Sequence, residues 1–148
     1  MSEKILRVLV VDDHRDGADM LGLIVEELGH QVQVTYGGLP ALDVAAAFRP
    51  NLVFVDLMMP GMNGFDLVKR LRERRAVVDG QIVAITGQKS DEYKALALQA
   101  GCNRVFIKPV ALNAVQTALS DLMPAVIPAA SLPTRPLSGS LWRGNRMA

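Results

Sequence analysis

Four short apolar runs, each closed by a polar residue, constrain this chain more than any other feature. Residues 5–11, apolar apart from Arg7, run into Asp12 and Asp13; residues 52–55 run into Asp56, 82–85 into Thr86, and 105–107 into Lys108. Consecutive apolar positions over this length read as strands buried on both faces, the pattern of a parallel sheet. Ligands of an open parallel sheet bind outside the carboxyl ends of its strands. Three carboxylates, a hydroxyl and an ammonium are therefore expected at one edge, although they lie far apart in sequence. Crowded carboxylates resist joint ionisation unless a cation lies among them, and hard oxygen donors suit Mg²⁺. The set points to metal-assisted phosphoryl transfer.

The segments between the runs fit this frame. Residues 15–28 predict a helix whose core face carries Leu21, Ile24, Val25 and Leu28, ended by Gly29. Residues 31–35 alternate as a strand does, and Gly37-Gly38 turns into a helix over 40–48. The turn cluster of 60–64 precedes a helix from Phe65 to about Arg74, and further helices are expected over 91–100 and 111–123. Five alternations of strand and helix predict an α/β fold, a doubly wound five-stranded parallel sheet. With 148 residues, half of them apolar, the chain can bury one good core. Residues 1–123 are expected to form that domain, with 13 Lys+Arg against 15 Asp+Glu. Residues 124–148 bring Pro124, Pro128, Pro133 and Pro136 without periodicity, and are expected to be a largely disordered tail. This charge balance predicts no nucleic-acid footprint. The lone Cys102 allows no intramolecular disulfide, and no run is long enough for a membrane span, so a cytoplasmic protein is expected.

Four motifs carry a resemblance: LVVDD (9–13), LVFVDLMMPGMNGFDL (52–67), IVAITG (82–87) and FIKPV (106–110). Together, in this order and each at a strand end, they resemble the response-regulator receiver domain of bacterial two-component signalling. The resemblance implies the flavodoxin-like (βα)5 fold, and Asp56 as the acceptor of a phosphoryl group from a phosphohistidine of a histidine kinase or phosphotransfer protein. It implies Mg²⁺ held by Asp12, Asp13, Asp56 and the backbone carbonyl of Met58. Lys108 would pair with Asp56 and then with a phosphoryl oxygen, and Thr86 would donate its hydroxyl to another. The family's Lys-Pro peptide is cis, which falls here on Lys108-Pro109. A stand-alone receiver, monomeric or weakly dimeric, would act through an unknown protein target rather than as an enzyme on an external substrate.

The chain departs from the family in places. Many receivers place an aromatic switch three residues before the lysine, where this chain has Val105; Phe106 is adjacent and should point to the opposite face. The family sets acyl-phosphate lifetime partly through side chains two after the phosphorylated Asp and two after the Thr, here Met58 and Gln88. Methionine cannot orient an attacking water, whereas the Gln88 amide offers a group able to do so; on balance a longer lifetime than in the fast chemotaxis regulators is expected.

Blander readings apply to the remaining features. His14 is read as an exposed first-turn residue because Mg²⁺ prefers oxygen. The basic run of residues 69–75 is read as a solvated helix face, and Cys102 as a small core residue. Gly61 and Gly64 serve as turn residues and let backbone approach the phosphoryl group. For Met20 and Leu23, outward docking of a helical partner and partial burial both stay open. Alternatives at the level of function are a phosphate sink or relay without its own effector, and a phosphorylation-independent interaction module. A haloacid-dehalogenase-type phosphatase would need a second Asp where Met58 stands, and a flavin or nucleotide site would be repelled by Asp12-Asp13.

Overall fold

A computed structural model describes residues 5–77 and 80–122. Strands β1 (Arg7–Val11), β2 (Gln31–Thr35), β3 (Leu52–Asp56), β4 (Gln81–Thr86) and β5 (Arg104–Ile107) alternate with helices α1 (Arg15–Glu27), α2 (Gly38–Phe48), α3 (Gly64–Glu73), α4 (Asp91–Ala100) and α5 (Leu112–Ser120). All neighbouring strands are parallel, in the order β2-β1-β3-β4-β5. This is the five-stranded α/β sheet expected from the apolar runs. The expected tail of residues 124–148 lies outside the described residues. Among the described residues, no helix is long and apolar enough to cross a membrane.

Successive strand residues point to opposite faces, and the two faces build two cores. Val8, Val10, Leu52 and Phe54 pack with α1 and α5. Leu9, Val11, Val53 and Val55 pack with α2, α3 and α4. Every residue of β3 is buried, which explains why this central strand reads as an unbroken apolar run. Arg7 interrupts the first run for a structural reason: its Nε donates to the Phe48 and Arg49 carbonyl oxygens at 3.0 and 2.9 Å, satisfying the end of α2.

Two expectations are corrected. Leu28 does not belong to the core face of α1: it is 36% exposed at the C-cap, and the buried face is Ala18, Leu21, Gly22 and Val25, with Ile24 half-buried. Gly22 suits that orientation. A Cβ there would come within 2.7 Å of Val34 Cγ2, so glycine lets the helix sit close to β2 on the face that also buries residues 18, 21 and 25. Met20 and Leu23 face outward, as one of the two readings allowed.

The basic run of residues 69–75 is likewise not uniformly a solvated face. Arg72 is half-buried, and its guanidinium donates to the carbonyl oxygens of Val77 (2.7 Å) and Gly101 (3.1 Å) and to Asn103 Oδ1 (2.7 Å). Asn103 Oδ1 also accepts from the Ile82 N–H at 2.8 Å. Arg72 therefore ties the end of α3 to the start of β4 and the turn before β5. Burial lowers its pKa, offset in part by the nearby Cys102. Cys102 is buried, as expected, and burial pushes its thiol up to about 11.

Candidate functional site

The carboxyl ends of β1, β3, β4 and β5 bring the predicted polar residues together. Asp56 and Thr86 are the last residues of their strands, Asp12 follows β1 directly, and Lys108 follows β5. Asp12, Asp56 and Thr86 are all buried, an arrangement that polar groups adopt only when partnered or when they serve a ligand.

The partners are specific. Asp12 Oδ1 accepts from the His14 N–H at 2.9 Å, and Asp56 Oδ1 accepts from the Met58 N–H at 3.0 Å. Thr86 Oγ1 accepts from the Gln88 N–H at 3.0 Å, which leaves its hydroxyl proton available as a donor. Lys108 Nζ lies 3.3 Å from Asp56 Oδ2 and 3.3 Å from Asp12 Oδ2. The resemblance implies one partner for this lysine, Asp56. Its second, Asp12, carries no signal in one dimension, because it depends on β1 and β3 being neighbours in the sheet.

The local backbone holds these groups in place. The Lys108-Pro109 peptide is cis, as expected, and the Lys108 N–H donates to the Thr86 carbonyl at 2.9 Å. Gly64 opens α3 directly against the chain leaving β3. A Cβ there would sit 2.5 Å from the Asp56 carbonyl oxygen and 2.5 Å from Leu57 Cα, so only glycine fits. That is a different use of Gly64 from the approach to a phosphoryl group foreseen in the sequence. Asn63 caps α3, its Oδ1 accepting from the Asp66 N–H at 3.0 Å. Gly61 adopts φ +78°, the left-handed region that favours glycine.

Burial is the main cause that pushes the Asp56 carboxyl up to about 6; Asp12 raises it further, against the Met58 N–H and Lys108, which lower it. Burial also works against the charge on Lys108, but Asp56 and Asp12 outweigh it and hold the lysine above its ordinary pKa. Among the described residues, the site is thus an anionic pocket with one cation for two buried carboxylates.

Asp13 supplies the observation that bears on a metal. Among the described residues its buried Oδ1 has no hydrogen-bond partner, and one ligand atom from each of Asp12, Asp13 and His14 lies within 4.8 Å of the other two. A buried carboxylate oxygen without a donor is costly, and a hard divalent cation beside it removes that cost. The donor set therefore fits Mg²⁺. His14 is exposed at the start of α1, as expected.

Two concavities flank the pocket. One of about 570 Å³ runs from Asp12 and Lys108 along α1, past Met20, Leu21 and Ile24. The other, about 410 Å³, lies over Met58, with Asn63, Phe65 and Tyr93. Phe65 and Tyr93 stack there, with ring centroids 6.0 Å apart. Val105 packs into the core under α2, α3 and α4, whereas Phe106 packs on the opposite face, the alternation expected along β5.

The family model of the response regulator receiver domain matches residues 8–120. The DNA-binding response regulator MtrA of Mycolicibacterium paratuberculosis is 37% identical over 103 residues, which cover 70% of this chain and 44% of that protein. The sensory/regulatory protein RpfC of Xanthomonas campestris pv. campestris is 34% identical over 119 residues, covering 79% of this chain and 16% of RpfC. The chain thus spans less than half the length of these relatives. Among solved structures, the chemotaxis protein CheY4 of Vibrio cholerae superposes with a TM-score of 0.75 at 26% identity, covering 80% of this chain and 98% of CheY4. A putative response regulator of Chloroflexus aurantiacus gives a TM-score of 0.74 at 27% identity, with 80% and 97% covered.

Proposed function

This chain belongs to the response regulator receiver domain family, and on that footing we propose that it takes a phosphoryl group from a phosphohistidine of a histidine kinase or phosphotransfer protein onto Asp56. The observation that carries the proposal is Lys108 Nζ standing 3.3 Å from both Asp56 and Asp12, beside the buried Thr86, at one sheet edge.

An ionised Asp56 oxygen attacks phosphorus in line, the phosphorus–nitrogen bond to the donor imidazole breaks, and an acyl phosphate forms on Asp56. Lys108 then follows the negative charge from the carboxylate to a phosphoryl oxygen, where it acts as a point charge. Thr86 donates its hydroxyl to a second phosphoryl oxygen while its Oγ1 keeps the Gln88 N–H. Asp12, Asp13, Asp56 and the Met58 carbonyl are the residues that would hold Mg²⁺. When bound, the ion neutralises the charge that otherwise keeps an anionic donor out of an acidic pocket. The chain modifies itself and does not turn over an external substrate.

The state of Asp56 is then read by a protein target, or passed on in a relay with no effector of the chain's own. The outward-facing Met20 and Leu23 beside the groove along α1 favour contact with another protein on this side. Intact mass after incubation with Mg²⁺ and acetyl phosphate tests the reaction. One phosphoryl group should be gained, and the gain should be lost in Asp56→Asn and in chelator. A gain that persists in Asp56→Asn would reject Asp56 as the acceptor.

A further inference from the structure

We infer that His14 completes, with Asp12 and Asp13, a site for a first-row divalent ion with affinity for imidazole, for which Zn²⁺ serves as probe. The inference rests on the reading of the acidic edge as a cation site and adds a nitrogen ligand to it.

One ligand atom from each of the three residues already lies within 4.8 Å of the others. Among the described residues the buried Asp13 Oδ1 has no hydrogen-bond partner, so that oxygen gives up no hydrogen bond when Asp13 serves as a ligand. The His14 backbone is fixed, because its N–H donates to Asp12 Oδ1 at 2.9 Å and its carbonyl accepts from the Ala18 N–H at 2.9 Å. Its side chain makes no cap hydrogen bond and is exposed. A tetrahedral ion with bonds of ~2.1 Å spaces its ligands about 3.4 Å apart. Closing from the present arrangement takes about an ångström, a movement that rotation of an exposed imidazole supplies.

The chemistry separates two classes of ion. Mg²⁺ takes oxygen ligands and keeps much of its water, so it gains nothing from His14. Zn²⁺ binds imidazole nitrogen and carboxylate oxygen alike, and first-row ions late in the series bind such mixed sites more tightly than early ones. An ion drawn to His14 sits toward α1 while using Asp12 and Asp13. It therefore competes with Mg²⁺, and Zn²⁺ should oppose Mg²⁺-dependent phosphorylation of this chain.

The test uses the full chain, with Zn²⁺ and Mg²⁺ titrated separately by calorimetry into the wild type and His14→Gln. Proton resonances of the two histidine rings, His14 and His30, are followed in parallel. His30 is the internal reference, since its Nδ1 accepts from the Leu6 N–H at 3.1 Å near the amino end of β2. Zn²⁺ should bind the wild type more tightly than Mg²⁺ does, and His14→Gln should weaken Zn²⁺ by at least about tenfold. Mg²⁺ affinity should stay equal in both proteins, and saturating Zn²⁺ should shift the His14 ring and leave His30 in place. Zn²⁺ affinity indifferent to His14→Gln, or an unmoved His14 ring, would overturn the inference while Mg²⁺ binding kept the cation site itself. Failure of both ions to bind would overturn the cation site and this inference together.

Discussion

Replacing Asp56 by asparagine should stabilise the metal-free protein near neutral pH, even though it removes the residue on which the proposed reaction depends. The structure raises this carboxyl from its ordinary 3.8 to about 6, mainly by burial and further by Asp12. A group with a higher pKa in the folded state binds its proton more tightly when folded. Its contribution therefore favours the fold below pH 3.8 and is lost as pH rises through about 6. Asparagine mimics the neutral acid at every pH, and its side-chain oxygen can keep the Met58 N–H bond. At ~1.4 kcal/mol per pKa unit the full difference is about 3 kcal/mol. Solvent screening at the mouth of the pocket reduces this to about 1 kcal/mol.

Unfolding by urea or heat in chelator checks the value. Asp56→Asn should melt about 3–5 °C above the wild type at pH ~7.5, and the two should converge at pH ~4 and below. Mg²⁺ at about ten times its dissociation constant adds ~1.4 kcal/mol to a protein that binds it only when folded. It should therefore close the gap by restoring a cation to the wild-type pocket. Asp56→Asn less stable than the wild type in chelator at pH ~7.5, or a gap indifferent to pH, would refute the account of Asp56 as a destabilised buried anion.

Three further outcomes are expected. Lys108→Met leaves Asp12 and Asp56 facing each other without their shared cation, and should cost about 2 kcal/mol in chelator by urea unfolding, as well as most of the phosphorylation read by intact mass. Arg72→Met should cost about 2–3 kcal/mol, because the partly buried carbonyls of Val77 and Gly101 and the Asn103 side chain lose their charged donor at once, whereas the exposed Arg70→Ala should stay within ~0.5 kcal/mol; equal effects would refute the tie between α3, β4 and the turn before β5. The acyl phosphate should outlast that of the fast chemotaxis regulators, since Met58 is half-exposed over the pocket and offers no polar group to orient water; a half-life of seconds in the purified protein would contradict this.

The sequence by itself determined the fold and which polar residues gather at the candidate site. Strands buried on both faces must be apolar at every position, so β1, β3 and β4 announce themselves, and the polar residue that ends each run can only lie at the carboxyl edge. Asp12, Asp13, Asp56, Thr86 and Lys108 were legible for that reason. Helix faces were less so. The alternation of apolar residues in α1 fits more than one rotation; in the structure Gly22 seats against Val34 and Leu28 lies at the C-cap, out of the core.

What only the tertiary structure decided are relations between neighbours that sequence distance hides. Lys108 is shared by two carboxylates because β1 and β3 are adjacent in the sheet. Arg72 leaves its basic run to serve carbonyls 5 and 29 residues away. Gly64 is required by the backbone of β3 and not by a ligand. The orphaned Asp13 oxygen beside the exposed His14 is of the same kind. Apolar periodicity reports which surfaces leave water, a one-dimensional property of each element. Hydrogen bonds and charge pairs form only within about 3–4 Å, a distance set by how the elements are stacked.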